Sequence, residues 1–149
     1  ALPIFQEYQA PVEYGRSEII RKGKKIAVLG VGSMIPSCME ICKGLKDDGY
    51  DPTFVNVRFV KPLDVDLLDE LAKDHSLFVT VEENVKSGGY GEHVSAYMEA
   101  CHPEIRVLSA AVWDRFVPQG NVESLRSRIG LGVEDIRQAI EDSEELREQ

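Results

Sequence analysis

Cysteine is scarce in this sequence, three in 149 residues, and tryptophan occurs once. Three thiols cannot all pair with one another, and this usage fits a reducing compartment, not a disulfide framework. Bases are outnumbered, with 17 Lys and Arg against 26 Asp and Glu, for a formal charge of −9. That balance excludes the basic face with which a nucleic-acid binder displaces counterions from phosphate. It suits a soluble, cytoplasmic protein. No apolar run is longer than Ile26 to Leu29, far short of the ~20 residues that a membrane helix needs, so no membrane partner is expected. No charged leader followed by an apolar stretch opens the chain, and export is not expected either. The first residue is Ala1, not Met, which raises the expectation of a piece cut from something larger. What the chain does have is 43% hydrophobic residues. At this length roughly two thirds of the unfolded surface can be buried, enough for one core.

Hydrophobic periodicity orders the elements. Ala1 to Pro11 holds two of the prolines and no sustained period, so residues 1–14 read as a linker or arm and 15–149 as the domain. A strand is expected within Val12 to Arg21, then a polar turn at Lys22-Gly23-Lys24. Lys25 to Val31 is a continuous apolar run, the mark of a strand buried on both faces. Cys38, Ile41, Cys42 and Leu45 form one helical stripe, closed at Gly49. A strand from Thr53 to Phe59 follows, stopped at Pro62, with Asp64 capping a helix that carries Leu67, Leu68 and Leu71. Leu77 to Val81 is another buried strand, before a glycine-rich loop and a helix with Val94, Tyr97 and Met98. Ile105 to Leu108 is the last strand. A helix from about Val133 turns Ile136 and Ile140 inward, and its acidic end, Glu141 to Gln149, reads as a solvated face or frayed end.

This alternation predicts a three-layer α/β/α fold on a mostly parallel five-stranded mixed sheet. The link at Gly23 is too short for a parallel crossover, so the first strand is expected to be antiparallel or displaced to an edge.

Candidate chemistry is sparse. Cys38 and Cys42, four apart on a helix, could form half a metal site, but Cys101, His102, His75 and His93 show no paired ligand spacing. Core packing is the preferred reading, and no metal is expected. Gly30-Val31-Gly32-Ser33 stands where a dinucleotide fingerprint would, yet Ile35 occupies the third glycine's place. No acid ends the next strand at Asn56 and Arg58, so a tight strand-to-helix turn is the better reading. Glu82 and Glu83 are adjacent in an extended segment and point to opposite faces, unsuited to acting on one bond together. Gly88, Gly89 and Gly91 either form a backbone nest for an anion or only let the loop turn. Arg58 and Lys61 could face a ligand crevice, but an Arg58 pairing with Glu82 or Glu83 is slightly preferred. Trp113 to Phe116 has the look of a contact loop. No nucleophile elbow and no Walker loop occur.

In combination these strings resemble a known family. Arg58-Phe-Val-Lys-Pro-Leu-Asp64, Val79-Thr-Val-Glu-Glu-Asn84 and Gly88-Gly-Tyr-Gly91 stand in order with Val31-Gly-Ser-Met34 before them. Phe116-Val-Pro-Gln-Gly120, Gly130-Leu-Gly132 and the closing helix follow. The set resembles the C-terminal domain of the 1-deoxy-D-xylulose-5-phosphate synthase family, a transketolase C-terminal domain, from about Phe5 to Ile140. Ala10 to Gly15 looks like that family's connection from the preceding domain. One departure is Ala111-Val-Trp-Asp114, where the family usually carries Leu-Pro-Asp.

The resemblance implies a thiamine-diphosphate and magnesium enzyme, homodimeric, that condenses pyruvate with glyceraldehyde 3-phosphate and releases carbon dioxide. It begins isoprenoid synthesis and feeds thiamine and pyridoxal pathways. Coenzyme and metal lie in the preceding domains there, and the Gly-Asp-Gly motif that holds them does not occur here. No catalytic, cofactor-binding or metal residue is therefore carried over, and the chain is expected to be structural and inactive alone. Two other readings stay open. One is a self-standing anion or nucleotide module using Gly30 to Ser33, Arg58 and Gly88 to Gly91. The other is a docking domain like that of a 2-oxo acid dehydrogenase beta subunit.

Overall fold

Lys25–Gly30 forms the central strand, β2, and its alternation divides the core in two. Ile26 and Val28 point to one face of the sheet, Ala27 and Leu29 to the other, and each is at most 1% exposed. A strand packed on both sides needs this uninterrupted apolar run. The computed structural model describes residues 11–85, 88–112 and 132–148. Around β2 lie β1 (Glu18–Arg21), β3 (Thr53–Asn56), β4 (His75–Val85) and β5 (Arg106–Val112), in the order β1-β3-β2-β4-β5. β1 runs antiparallel to β3, and the remaining pairs are parallel. The expected five-stranded mixed sheet is present, and its antiparallel strand is both reversed and at the edge.

Helices α1 (Ile35–Asp47) and α4 (Val133–Glu148) cover the Ile26 face, and α2 (Val65–Ala72) and α3 (Tyr90–Cys101) the Ala27 face. The α1 stripe of Cys38, Ile41, Cys42 and Leu45 is buried as its spacing predicts. Burial of Ile41 and of Leu45 contributes about 1.5–3 kcal/mol each against exposure. Burial also fixes the thiols: Cys42 is pushed up to about 12, and Cys38 is raised too, by desolvation with the Cys42 charge adding to it. Both are core hydrophobes. Gly49, at φ +95°, takes the left-handed conformation expected after α1.

Several boundaries differ from the sequence reading, each for a physical reason. β1 begins only at Glu18, because residues 12–17 cross another loop instead of pairing with a strand. β3 stops at Asn56, well before Pro62: the Val57 amide turns to the Gly30 carbonyl at 3.0 Å, and Arg58 adopts φ +58°, with its amide on Asn56 Oδ1 at 3.2 Å. β4 extends past its apolar run at both ends because polar residues there find buried partners. At its start His75 Nδ1 meets the Leu71 carbonyl at 2.8 Å, and Nε2 shares a hydrogen bond of 2.7 Å with Thr53 Oγ1. The acidic end of α4 is not wholly solvated, since Glu144 is buried and pairs with Arg106 of β5 at 3.1 Å.

Candidate functional site at the carboxyl end of the sheet

The chain leaves β2 toward β3 on one side, then crosses to β4 on the other. The topological switch point thus lies between the carboxyl ends of β2 and β4, where open α/β sheets bind ligands. Three sequence strings converge there: the Gly32–Met34 turn after β2, Glu82-Glu83 on β4, and the glycine loop that opens α3.

Glu82 and Glu83 point apart, as expected. Glu83 is exposed and accepts from Ser33 Oγ at 2.5 Å, closing the mouth of the switch point. Glu82 is 1% exposed and accepts from the amides of Tyr90 and Gly91 at 2.9 and 2.6 Å. The first turn of α3 presents free N–H groups and the positive end of a dipole, so an anion is favoured there. The chain supplies that anion itself. Gly88's amide is taken by Glu92 Oε2 at 2.6 Å, so the nest is filled by the protein's own carboxylates. β4 bulges here, spending Val81 to Val85 against Ala110 to Val112 of β5, which re-aims Glu82 under the helix.

Gly91 is required by space. A Cβ at this position would lie 2.6 Å from Thr80 Oγ1 and 2.7 Å from Ser109 Oγ. Tyr90 is buried beside it, and its hydroxyl is raised by desolvation and then by the charges of Asp64 and Glu82.

Arg58 does not join this cluster. Its guanidinium pairs with Glu18 on β1, both half-buried, and not with Glu82 or Glu83 as expected. The left-handed backbone at Arg58 aims the side chain along the sheet edge, a direction no local pattern encodes. Lys61 is exposed, and among the described residues it has no ion-pair partner.

The leading residues are strapped onto the Arg58–Asp64 string. Tyr14 packs edge-on against Phe59 at 5.6 Å, and the Ser17 hydroxyl donates to the Val57 carbonyl at 2.9 Å. Asp64 accepts from the Ser17 amide at 2.8 Å, from Arg16 at 3.2 Å and, as the α2 cap, from the Leu67 amide at 3.2 Å. The cap was legible in sequence, but the strap was not, because its partners are 47 and 48 residues apart.

A second polar cluster lies between α2 and the end of α3. Asp69 Oδ1 accepts from Tyr97 Oη and His102 Nε2, both at 2.7 Å. It ties two helices together, and sequence reasoning missed it. Trp113 to Phe116, Ser87, Phe116 to Gly120 and Gly130 lie outside the described residues.

Chemically, the switch point is acidic and self-satisfied. A coenzyme diphosphate needs free amides or cations, and here the amides hold Glu82 and Glu92 while Arg58 holds Glu18. Among the described residues no group of three or more His, Cys, Asp or Glu could hold a metal ion. The described residues of the switch point do not fit thiamine diphosphate and magnesium. The proposed anion module does not assemble either, since its glycine nest and its arginine are each occupied by the chain's own acids.

Comparison with known proteins matches this architecture. The family described as transketolase, C-terminal domain, matches residues 15–136. The 1-deoxy-D-xylulose-5-phosphate synthase of Dictyoglomus thermophilum is 41% identical over 129 residues, covering 87% of this chain and 21% of that protein. The Nitrosomonas europaea synthase is 40% identical over 139 residues, covering 93% of this chain and 22% of that protein. The chain thus spans about a fifth of the length of these curated relatives. Among solved structures, a split-gene transketolase described as an inactive beta4 tetramer superposes with TM-score 0.82 at 28% identity, over 89% of this chain and 43% of that one. The chain belongs to the transketolase C-terminal domain family.

Proposed function

We propose that this chain is the C-terminal domain of a 1-deoxy-D-xylulose-5-phosphate synthase. The whole polypeptide would condense pyruvate with glyceraldehyde 3-phosphate, releasing carbon dioxide, with thiamine diphosphate and magnesium held by its other domains. This domain acts as scaffold and subunit support, is inactive alone, and works in the cytoplasm as part of a homodimer. The observation that carries the reading is the occupied switch point: Glu82 sits on the α3 amides that a phosphate would otherwise take. A domain whose ligand end is closed by its own carboxylates is built to support a site elsewhere. Sequence identities of 34–41% to synthases, over about a fifth of their length, support the choice of enzyme.

The test is direct. The 149-residue chain, mixed with pyruvate, glyceraldehyde 3-phosphate, magnesium and thiamine diphosphate, is expected to form no product, whereas the full polypeptide does. Turnover by the domain alone overturns the proposal.

A further inference from the structure

Among the described residues the exposed large hydrophobics are Val12, Tyr14 and Val65, at 65%, 80% and 36%. They do not scatter. Tyr14 packs on Phe59, Arg16 pairs with Asp64 and Asp66 at 3.2 and 2.7 Å, and Val65 stands between those two acids in sequence. Gly15 lies against exposed Pro62, whose Cγ would be 2.9 Å from a Cβ at that glycine. Tyr14 and Val65 therefore share one corner, with Val12 two residues before Tyr14 on the same strap, and Lys61, two residues beyond Phe59, has no ion-pair partner among the described residues. Single exposed hydrophobics need no explanation, but a cluster rimmed by polar residues marks a contact surface.

The position of this corner names its occupant. Glu18 pairs with Asn56, the last residue of β3, so residues 12–17 lie at the carboxyl end of the parallel strands. Any domain that precedes this one in the polypeptide connects through that strap. The strap is bonded to the body of the domain, by Ser17 to Asp64 and Val57, so it offers Tyr14 on a fixed footing. A fixed aromatic loses little side-chain entropy on binding.

We infer that the Tyr14–Lys61–Val65 corner is the seat of the preceding domain of the same polypeptide, which meets it with an apolar face and a carboxylate opposite Lys61. The inference rests on the reading of the chain as a C-terminal domain. It adds which surface is covered and by what chemistry, and it places that neighbour over the acidic carboxyl end of the sheet.

The experiment uses the full-length polypeptide with p-benzoyl-L-phenylalanine in place of Tyr14, an exposed position whose change leaves the core intact. Irradiation followed by peptide mapping is expected to give a cross-link to a peptide preceding Ala1. Lys61→Glu is expected to lower that yield by about tenfold, because a like charge then faces the carboxylate. Lys43→Glu, an exposed control on α1, should leave it unchanged. A cross-link confined to residues 1–149, a cross-link to a second copy in an isotope-mixed sample, or no cross-link at all overturns the inference. Synthase activity is assayed on the unmodified full-length polypeptide in parallel. Activity without the expected cross-link sinks this inference alone, and the expected cross-link without activity sinks the proposed enzyme alone.

Discussion

Glu82 accepts from the Gly91 amide at 2.6 Å, so the first turn of α3 is held by a carboxylate from the strand beneath it. Glu82 thereby does from within the chain what a ligand phosphate does in a nucleotide-binding fold. Its replacement by Gln puts an amide NH2 where two backbone donors converge. A buried hydrogen bond to a charged acceptor is worth about 2 kcal/mol, so Glu82→Gln is expected to lose about that much. In urea unfolding the midpoint should fall with the slope unchanged. An unaltered midpoint would mean that the α3 amides are satisfied without the charge.

Gly91 is the other half of that contact. Its missing side chain lets α3 approach β4 and β5 until Thr80 and Ser109 fill the space. Gly91→Ala is expected to cost about 1–3 kcal/mol, the usual range for overpacking, despite the better helix propensity of alanine. Gly32→Ala meets no atom within 4 Å and is strained only by its φ of +56°, so its loss should be the smaller. Thermal unfolding of the two variants side by side decides the order.

Much of this arrangement is legible in the amino-acid sequence. The run at Lys25 to Val31, the stripe at Cys38 to Leu45 and the cap at Asp64 are local patterns, and each appears where periodicity places it. Arg58 shows the limit. Its partner Glu18 lies 40 residues away on an antiparallel edge strand, and the pairing depends on a positive φ that no composition signals. The length of β4 was hidden for a related reason. His75 and Glu82 lie outside the apolar run from Leu77 to Val81, yet each is buried because groups on neighbouring elements satisfy it. The strap over the Phe59 loop was unreadable too, since it is made almost wholly of long-range contacts.

Asp64 joins the strap to α2, and its variants separate the two roles. Asp64→Ala removes the cap and leaves the Ser17 amide without its acceptor. Loss of a helix cap costs about 1 kcal/mol, and the orphaned donor adds about as much. The expected fall is about 2 kcal/mol by urea titration. Arg16, half-exposed in its pair with Asp64, is raised by hydrogen bonds to Asp66 and Asp64, but solvent screens such pairs. Arg16→Ala should leave the midpoint unmoved. Equal losses from both variants would show that the ion pair, not the cap, dominates.

The three thiols should sort by burial. Cys101 is exposed, while Cys38 and Cys42 are buried. Burial holds Cys42 as a neutral thiol, pushed up to about 12, and raises Cys38 as well. Only a thiolate attacks a disulfide reagent. At pH 8 a chromogenic aromatic disulfide is expected to titrate Cys101 promptly, and the other two only after denaturant is added. Rapid reaction of all three in the folded protein would contradict the packing of α1.

The Asp69 cluster makes a pH prediction whose sign is fixed by geometry. Hydrogen bonds first from His102 and then from Tyr97 favour the carboxylate, so Asp69 titrates below its ordinary value of 3.8. A lowered acid stabilises the fold above the unfolded value, and that contribution disappears as pH falls through the lower folded value. The effect is small, because the group is exposed and solvent screens it. It is better read as a midpoint than as stability. Carboxyl carbon shifts followed by NMR should place Asp69 below 3.8 in the intact protein. His102→Ala should move the midpoint upward, and Tyr97→Phe should move it up by less, since the imidazole is the larger influence. A midpoint indifferent to His102 would mean that the bond between α2 and the end of α3 does not persist in solution.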